Sequence, residues 1–318
     1  MLRRFLAALA AAALALGANA QDYPRQAITV VIPLAPGDAT DIAGRAMGEE
    51  LSRLMKVPVI AVNRPGAGGS IAADSVAKAP KDGYTVLFSV NSALTFRRVL
   101  EPQGVPYDPM KDLTALGFAT RTPSVLAVRP DAPYRSFREM VEYAKKNPGK
   151  VRVGTAGPGS VGDFCVQIMN SQTGAGFTMV PFKGAAPAVA ALRGGHIEGV
   201  VLALGALAAH FKNDVLKPAL ISSKFPALPD IPTLAELGYR QNLLGVWIAF
   251  FAPAGIPAEV ASALVSAIEK TVKNPEIAAR LIPLGIMPEY LPPGQVQAEM
   301  RDEQRRVEEI ARRSGLLK

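Results

Sequence analysis

The sequence predicts an α/β fold of two similar units, each a mainly parallel sheet flanked by helices. Three observations carry that reading. Short β-branched runs alternate with stretches of helical periodicity, the runs end in glycine- and proline-rich turns, and the pattern restarts near residue 150. Ile28-Thr-Val-Val-Ile-Pro33 is the first strand, Leu34 to Thr40 a turn, and Asp41 to Leu54 a helix with Ile42, Met47, Leu51 and Leu54 on one face. A second strand, Val57 to Val62, ends in the glycine-rich Asn63 to Ser70, and Ile71 to Ala79 predicts another helix. Tyr84 to Val90 is a third strand that stops at Asn91-Ser92. The restart keeps the same order: strand Val151 to Thr155, glycine loop Ala156 to Gly162, helix Asp163 to Gln172, strand Phe177 to Phe182, and a helix beginning over Pro187 to Leu192. Both openings place an acid four residues after a glycine, Gly37 to Asp41 and Gly159 to Asp163. Strands joined through helices run parallel, which sets the expected sheet type. Val125 to Val128 and the segment before Trp247 are the natural crossovers between the units. Two helices follow, Ala258 to Lys273 and Gly294 to Arg313, the second rich in Glu and Arg and read as a solvated face.

Composition narrows the chemistry. With 49% apolar residues the chain can build a core, which excludes disorder as a class. A single cysteine, Cys165, excludes an intramolecular disulfide framework and a cysteine-based zinc site. The N-terminus has the three parts of a secretory signal: basic Arg3-Arg4, an apolar stretch from Phe5 to Leu16, and the small-x-small site Ala18-Asn19-Ala20. The expectation is cleavage after Ala20 and a periplasmic protein. Loss of the two arginines lowers the formal charge from +8 to +6. The remaining Lys and Arg are interspersed with acids, so the charge does not call for nucleic acid.

A glycine loop entering a helix offers unpaired N–H groups and the positive end of the macrodipole. Two such loops facing one cleft favour a small ligand with carboxylates. Gly157, Gly159 and Gly162 do match G-x-G-x-x-G. However, the following strand ends Val180-Pro-Phe-Lys183 without the acid a dinucleotide ribose needs. A serine hydrolase fares no better, because both near-matches to the nucleophile elbow, around Ser160 and Ser70, lack one glycine. His196 and His210 read as surface or packing residues, Ser75-Val-Ala-Lys78 as a chance match on a helix, and Cys165 as a packed thiol. No metal site, cofactor or catalytic group is expected.

Six motifs then occur in order: Ile32 to Arg45, Val62 to Gly69, Pro80 to Thr85, Tyr107 to Asp112, Leu228 to Glu236 and Ala252 to Pro257. They resemble the Bug-type substrate-binding receptors of tripartite tricarboxylate transporters, and the resemblance covers nearly the whole chain after the signal. It implies a two-lobed, type II periplasmic-binding-protein-like fold. The lobes would be 21–122 with 246–318, and 123–245. It also implies a monomeric receptor, not an enzyme, that closes on an organic acid and delivers it to inner-membrane permease subunits. A same-fold sensor docking on a sensor kinase is the alternative, and a secreted hydrolase a remote one.

The resemblance places ligand contacts at Pro36, Gly37, Asp38, Thr40 and Asp41 of the first loop, and at Ser89, Asn91 and Ser92 after the third strand. From the second lobe it implies Thr155, Ala156, Gly157, Gly159, Ser160 and Asp163, then Phe182, Lys183 and Leu202. The family's pattern has a second glycine where Asp38 stands, His at Asp163, Asp at Leu202, and Tyr-Arg at Phe182-Lys183. Asp38 is therefore expected either to cap the first helix or to face the cleft together with Asp163 and disfavour a plain dicarboxylate. In the second case the preferred ligand is zwitterionic, cationic or neutral.

Overall fold

The computed structural model describes residues 23–313, 315 and 317; the segment 1–20, read as an export signal, lies outside them. Among the described residues no helix is long and apolar enough to cross a membrane. The strands are β1 (Ile28–Ile32), β2 (Val59–Asn63), β3 (Thr85–Val90), β4 (Leu113–Thr122), β5 (Ser124–Val128), β6 (Arg152–Thr155), β7 (Thr178–Pro181), β8 (Gly199–Ala203), β9 (Lys217–Ile221), β10 (Val246–Pro253) and β11 (Met287–Pro288). They form two sheets, ordered β11-β4-β10-β3-β1-β2 and β7-β6-β8-β5-β9. The helices are α1 (Ala39–Met55), α2 (Ser70–Ala77), α3 (Arg97–Leu100), α4 (Phe137–Lys146), α5 (Val161–Thr173), α6 (Ala185–Arg193), α7 (Ala208–Lys212), α8 (Ala258–Val272), α9 (Pro275–Leu281) and α10 (Pro293–Arg313).

Each sheet has a parallel side that ends in an edge strand, β3-β1-β2 in one and β8-β6-β7 in the other, as the repeated strand–helix pattern requires. The antiparallel strands belong to the two passages between sheets. β4 runs through Pro123 straight into β5, and β9 leads through residues 222–245 back to β10. These passages lack a helix, and the strands that enter by them, β5 and β10, run against the parallel strands of their sheets, whereas β4 and β9 run with them.

Both faces of the first sheet are covered. Ile28, Val30 and Ile32 of β1 pack with Ala43, Met47 and Leu51 of α1, whereas Val31 and Leu87 pack with Ala72, Ala73 and Val76 of α2 and with Trp247. The registers Val31↔Val62 and Val31↔Leu87 bring the carboxyl ends of β1, β2 and β3 to one edge, where the loops after Ile32 and Val90 emerge together. The chain after β3 turns at once into a five-residue π-helical turn, Ser92–Phe96, before α3. Such wide turns hydrogen-bond i to i+5 and carry no sequence signature of the kind used above. The last helix is solvated on one face only. Val296, Met300, Val307 and Ile310 are buried at helical spacing, and Glu303 lies in the same buried row.

Candidate functional site

The repeated glycine-to-acid spacing folds into a repeated helix cap. At α1 the N-cap is Asp38, whose Oδ1 accepts the Thr40 N–H at 3.0 Å, and Asp41 Oδ2 accepts the N–H of Gly37 at 3.0 Å. At α5 the N-cap is Ser160, whose Oγ accepts the Asp163 N–H at 3.2 Å, and Asp163 Oδ2 accepts the Gly159 N–H at 2.6 Å. This is the reciprocal logic of a capping box, with the acid reaching back one residue further, and it sets a carboxyl group at the positive end of each helix. Gly37 and Gly159 have φ of +82° and +70°, a left-handed conformation that suits glycine. Asp41 is locked further, since its Oδ1 also accepts from Arg45 Nε at 2.9 Å and Asn63 Nδ2 at 2.8 Å, tying the loop to the end of β2.

The two caps meet across one cleft. Leu34, Asp38, Val90, Ser92 and Val246 line it from the first sheet, and Ala156, Ser160, Val161, Gly162, Val201 and Leu202 from the second. Its free volume is about 30 Å³, room for little more than a water, so a solute enters only as the two sides part. The walls touch above and below it. A β-carbon on Gly184 would lie 2.8 Å from Ala35 Cβ, and one on Gly68 would lie 2.4 Å from the carbonyl oxygen of Gly159. Arg97, 7% exposed, lies across this second contact, with its Cδ 2.4 Å from where a Gly159 β-carbon would be. Its guanidinium pairs with Glu101 at 2.9 Å, while Nε has no partner. Burial holds both Asp38 and Asp163 above the ordinary carboxylate range. For Asp38 the Thr40 hydrogen bonds act against burial and the charge of Asp41 adds to it. For Asp163 the Gly159 N–H and Arg97 act against burial and Glu101 adds to it.

A family model described as the tripartite tricarboxylate transporter family receptor matches residues 43–316. The chain belongs to this receptor family. Protein BugT of Bordetella pertussis is 30% identical over 96% of this chain and 95% of its own length. Among solved structures, an R. palustris protein with adipate superposes with a TM-score of 0.88 at 28% identity, covering 92% of this chain and 99% of that one. MatC of Rhodopseudomonas palustris with bound malate gives 0.84 at 28% identity, covering 91% and 99%.

Among the positions taken from the receptor family, the structure puts Asp38, Ser92, Ala156, Ser160 and Leu202 on the cleft lining. Asp38 caps α1 and lies on the cleft lining. Asp163 does not join it on the lining, because its carboxylate turns back to Gly159 beneath Arg97. Pro36 and Gly37 are exposed on the outer side of the loop; Thr40 and Asp41 are buried in the first turn of α1. The Ser89 hydroxyl stays within the sheet against the Val90 carbonyl, and Thr155 is buried at the end of β6. Gly157 and Gly159 shape the second loop without lining the cleft.

Asn91 corrects the expectation most clearly. Its amide turns away from the cleft, giving one hydrogen bond to the Gly245 carbonyl at 3.1 Å and one to Glu303 at 2.9 Å. Phe182 packs its ring behind β6 against Gly154, and Lys183 is exposed. The sequence reading missed the apolar lining of Leu34, Val90, Val161, Val201 and Val246, because residue type does not show which apolar positions face a cleft. Cys165 is a packed thiol, pushed up to about 12 by burial and donating to the Leu244 carbonyl. A thiol held protonated is no nucleophile.

The Gly159 contact yields a test of closure. Gly159→Ala puts a methyl group against Arg97 and forces alanine into a left-handed conformation. Small-angle scattering with a saturating ligand is expected to show a wider particle than wild type, and ligand affinity is expected to fall by about tenfold. Wild-type closure and affinity would mean that Arg97 simply swings aside.

Proposed function

We propose that this chain is a periplasmic solute receptor whose two lobes, 21–122 with 246–318 and 123–245, close over a small carboxylate-bearing organic solute. The closed complex then presents that solute to the permease subunits of a tripartite transporter in the inner membrane. One observation supports the reading above others: two helix caps built alike, on different sheets, meet at a single cleft. That arrangement lets one molecule touch both lobes only when they are closed, so binding and closure become one equilibrium. The site holds a solute and releases it unchanged, as suits a lining with hydroxyl, carboxylate and apolar groups and no His, Lys or Cys.

The test is binding with closure as the readout. The purified receptor is screened by thermal shift against small organic acids, and the scattering envelope is measured with each hit. A ligand at about 100 times its Kd is expected to add about 2.7 kcal/mol of stability and to reduce the radius of gyration. If native mass spectrometry finds no solute retained and no acid shifts either measurement, the receptor reading is wrong. Delivery is read separately, as uptake in cells that lack or carry the gene for this chain.

A further inference from the structure

The chemistry of the cleft is unsuited to a ligand that is only anionic. Asp38 is the one ionisable side chain on the lining, 6% exposed, and its Oδ1 accepts the Thr40 N–H. A carboxylate has about four lone-pair sites, so Asp38 keeps acceptor capacity. No Lys, Arg or His lines the cleft; Arg97 is turned to Glu101 and Arg45 to Asp41. A dicarboxylate would set two negative charges beside this buried carboxyl group with no cation in reach, which desolvation makes costly.

Several of the usual anion donors are also taken, and at α1 the N–H groups without a described partner belong to Ala39 and Asp41, which do not line the cleft. The N–H groups of Gly37 and Thr40 are filled by Asp41 and Asp38, and those of Gly159 and Asp163 by Asp163 and Ser160. What remains at the start of α5 are the N–H groups of Val161 and Gly162. Both residues line the cleft, and neither N–H has a partner among the described hydrogen bonds. They are orphan donors at the positive end of a 13-residue helix. The rest of the wall, Leu34, Val90, Val201, Leu202 and Val246, is aliphatic.

Resting on the receptor reading, we infer that the solute is a zwitterion, an ammonium carboxylate with a compact aliphatic body. Asp38 of the first lobe takes the ammonium, and the α5 terminus of the second takes the carboxylate. Each lobe supplies the partner for one charge, so neither holds the solute alone and closure selects a molecule carrying both.

The experiment compares four kinds of probe by calorimetry at pH 7: L-valine with both charges, isobutylamine with the ammonium only, isovalerate with the carboxylate only, and malate and adipate with two carboxylates. Valine is expected to bind at least about tenfold tighter than either single-charge analogue, with the dicarboxylates weakest. Asp38→Asn keeps the helix cap, since asparagine serves that position as well. It is expected to weaken valine by about tenfold or more and to bind isovalerate at least as tightly as the unmodified protein does.

Isovalerate, malate or adipate binding as tightly as valine overturns the inference and leaves the receptor reading standing. Undiminished valine affinity in Asp38→Asn does the same. If none of the probes binds, the inference fails as well, and the receptor reading is then judged on whether any solute copurifies with the protein.

Discussion

Gly162→Ala is expected to lower the unfolding free energy by about 3 kcal/mol and to abolish solute binding. Gly162 is the second residue of α5, and its backbone is ordinary helix, so conformational freedom is not the reason for glycine. The reason is the approach of α5 to β8. A β-carbon there would lie 2.3 Å from the Val201 carbonyl oxygen and 3.3 Å from its carbon. Those atoms are backbone in a strand paired on both sides, to β6 and to β5, and cannot rotate away. The helix must lift by roughly an ångström, which opens the second core and shifts Val161, Val201 and Leu202 together. Urea unfolding measures it: the midpoint should fall with the slope unchanged. A wild-type midpoint would show that α5 slides over β8 without cost.

The same position shows what the sequence could and could not disclose. The pattern Gly157, Gly159, Gly162 resembles a nucleotide loop because the backbone needs are the same: two left-handed turns, then a close helix–strand contact. Spacing reveals those needs without revealing the ligand. The duplicated Gly37–Asp41 and Gly159–Asp163 pairs were legible as a repeat, and both fold into the same cap. That these acids turn back to their own loops depends on backbone dihedrals that residue type does not set. The strands and helices named from periodicity agree within a few residues with β1, β2, β3, β6 and β7 and with α1, α2, α5, α8 and α10, whereas β4, β9, β11 and α4 went unread. The passage β4–Pro123–β5 was harder, since its two buried strands differ in sheet but not in composition. Asn91 was misread for a different reason. A polar residue at the end of a strand looks like a ligand contact, but its partner Glu303 lies 212 residues away, beyond the reach of any local pattern.

Glu303 is expected to make stability fall as pH rises from about 4.5 to about 7. Its carboxyl is 3% exposed among Asn91, Thr95 and Trp247, and burial pushes it up to about 7, against the opposing pull of its hydrogen bonds and of Arg306. Its Oε1 accepts from the Asn91 amide at 2.9 Å and its Oε2 from the Thr95 hydroxyl at 2.7 Å, bonds that favour the charged form and are outweighed by burial. The folded state thus binds a proton that the unfolded chain releases above its ordinary value of 4.5. The group's contribution is fully present below pH 4.5 and is lost as pH rises through about 7, on the order of 3 kcal/mol in all. Glu303→Gln keeps a donor and an acceptor of the same shape without the ionisation. It should match wild type at pH 4.5 and exceed it at pH 8, whereas Glu303→Ala should be destabilised at both, since Asn91 and Thr95 each lose one buried hydrogen bond. Asp38 and Asp163, also raised by burial, add a slope of the same sign, so the difference between wild type and Glu303→Gln isolates this residue. Parallel stability curves for the two proteins from pH 4.5 to 8 would mean that Glu303 keeps its charge in the folded state. The route from the C-terminal helix through Asn91 to Gly245, next to the passage between the sheets, would then be held by an ion in place of a neutral acid.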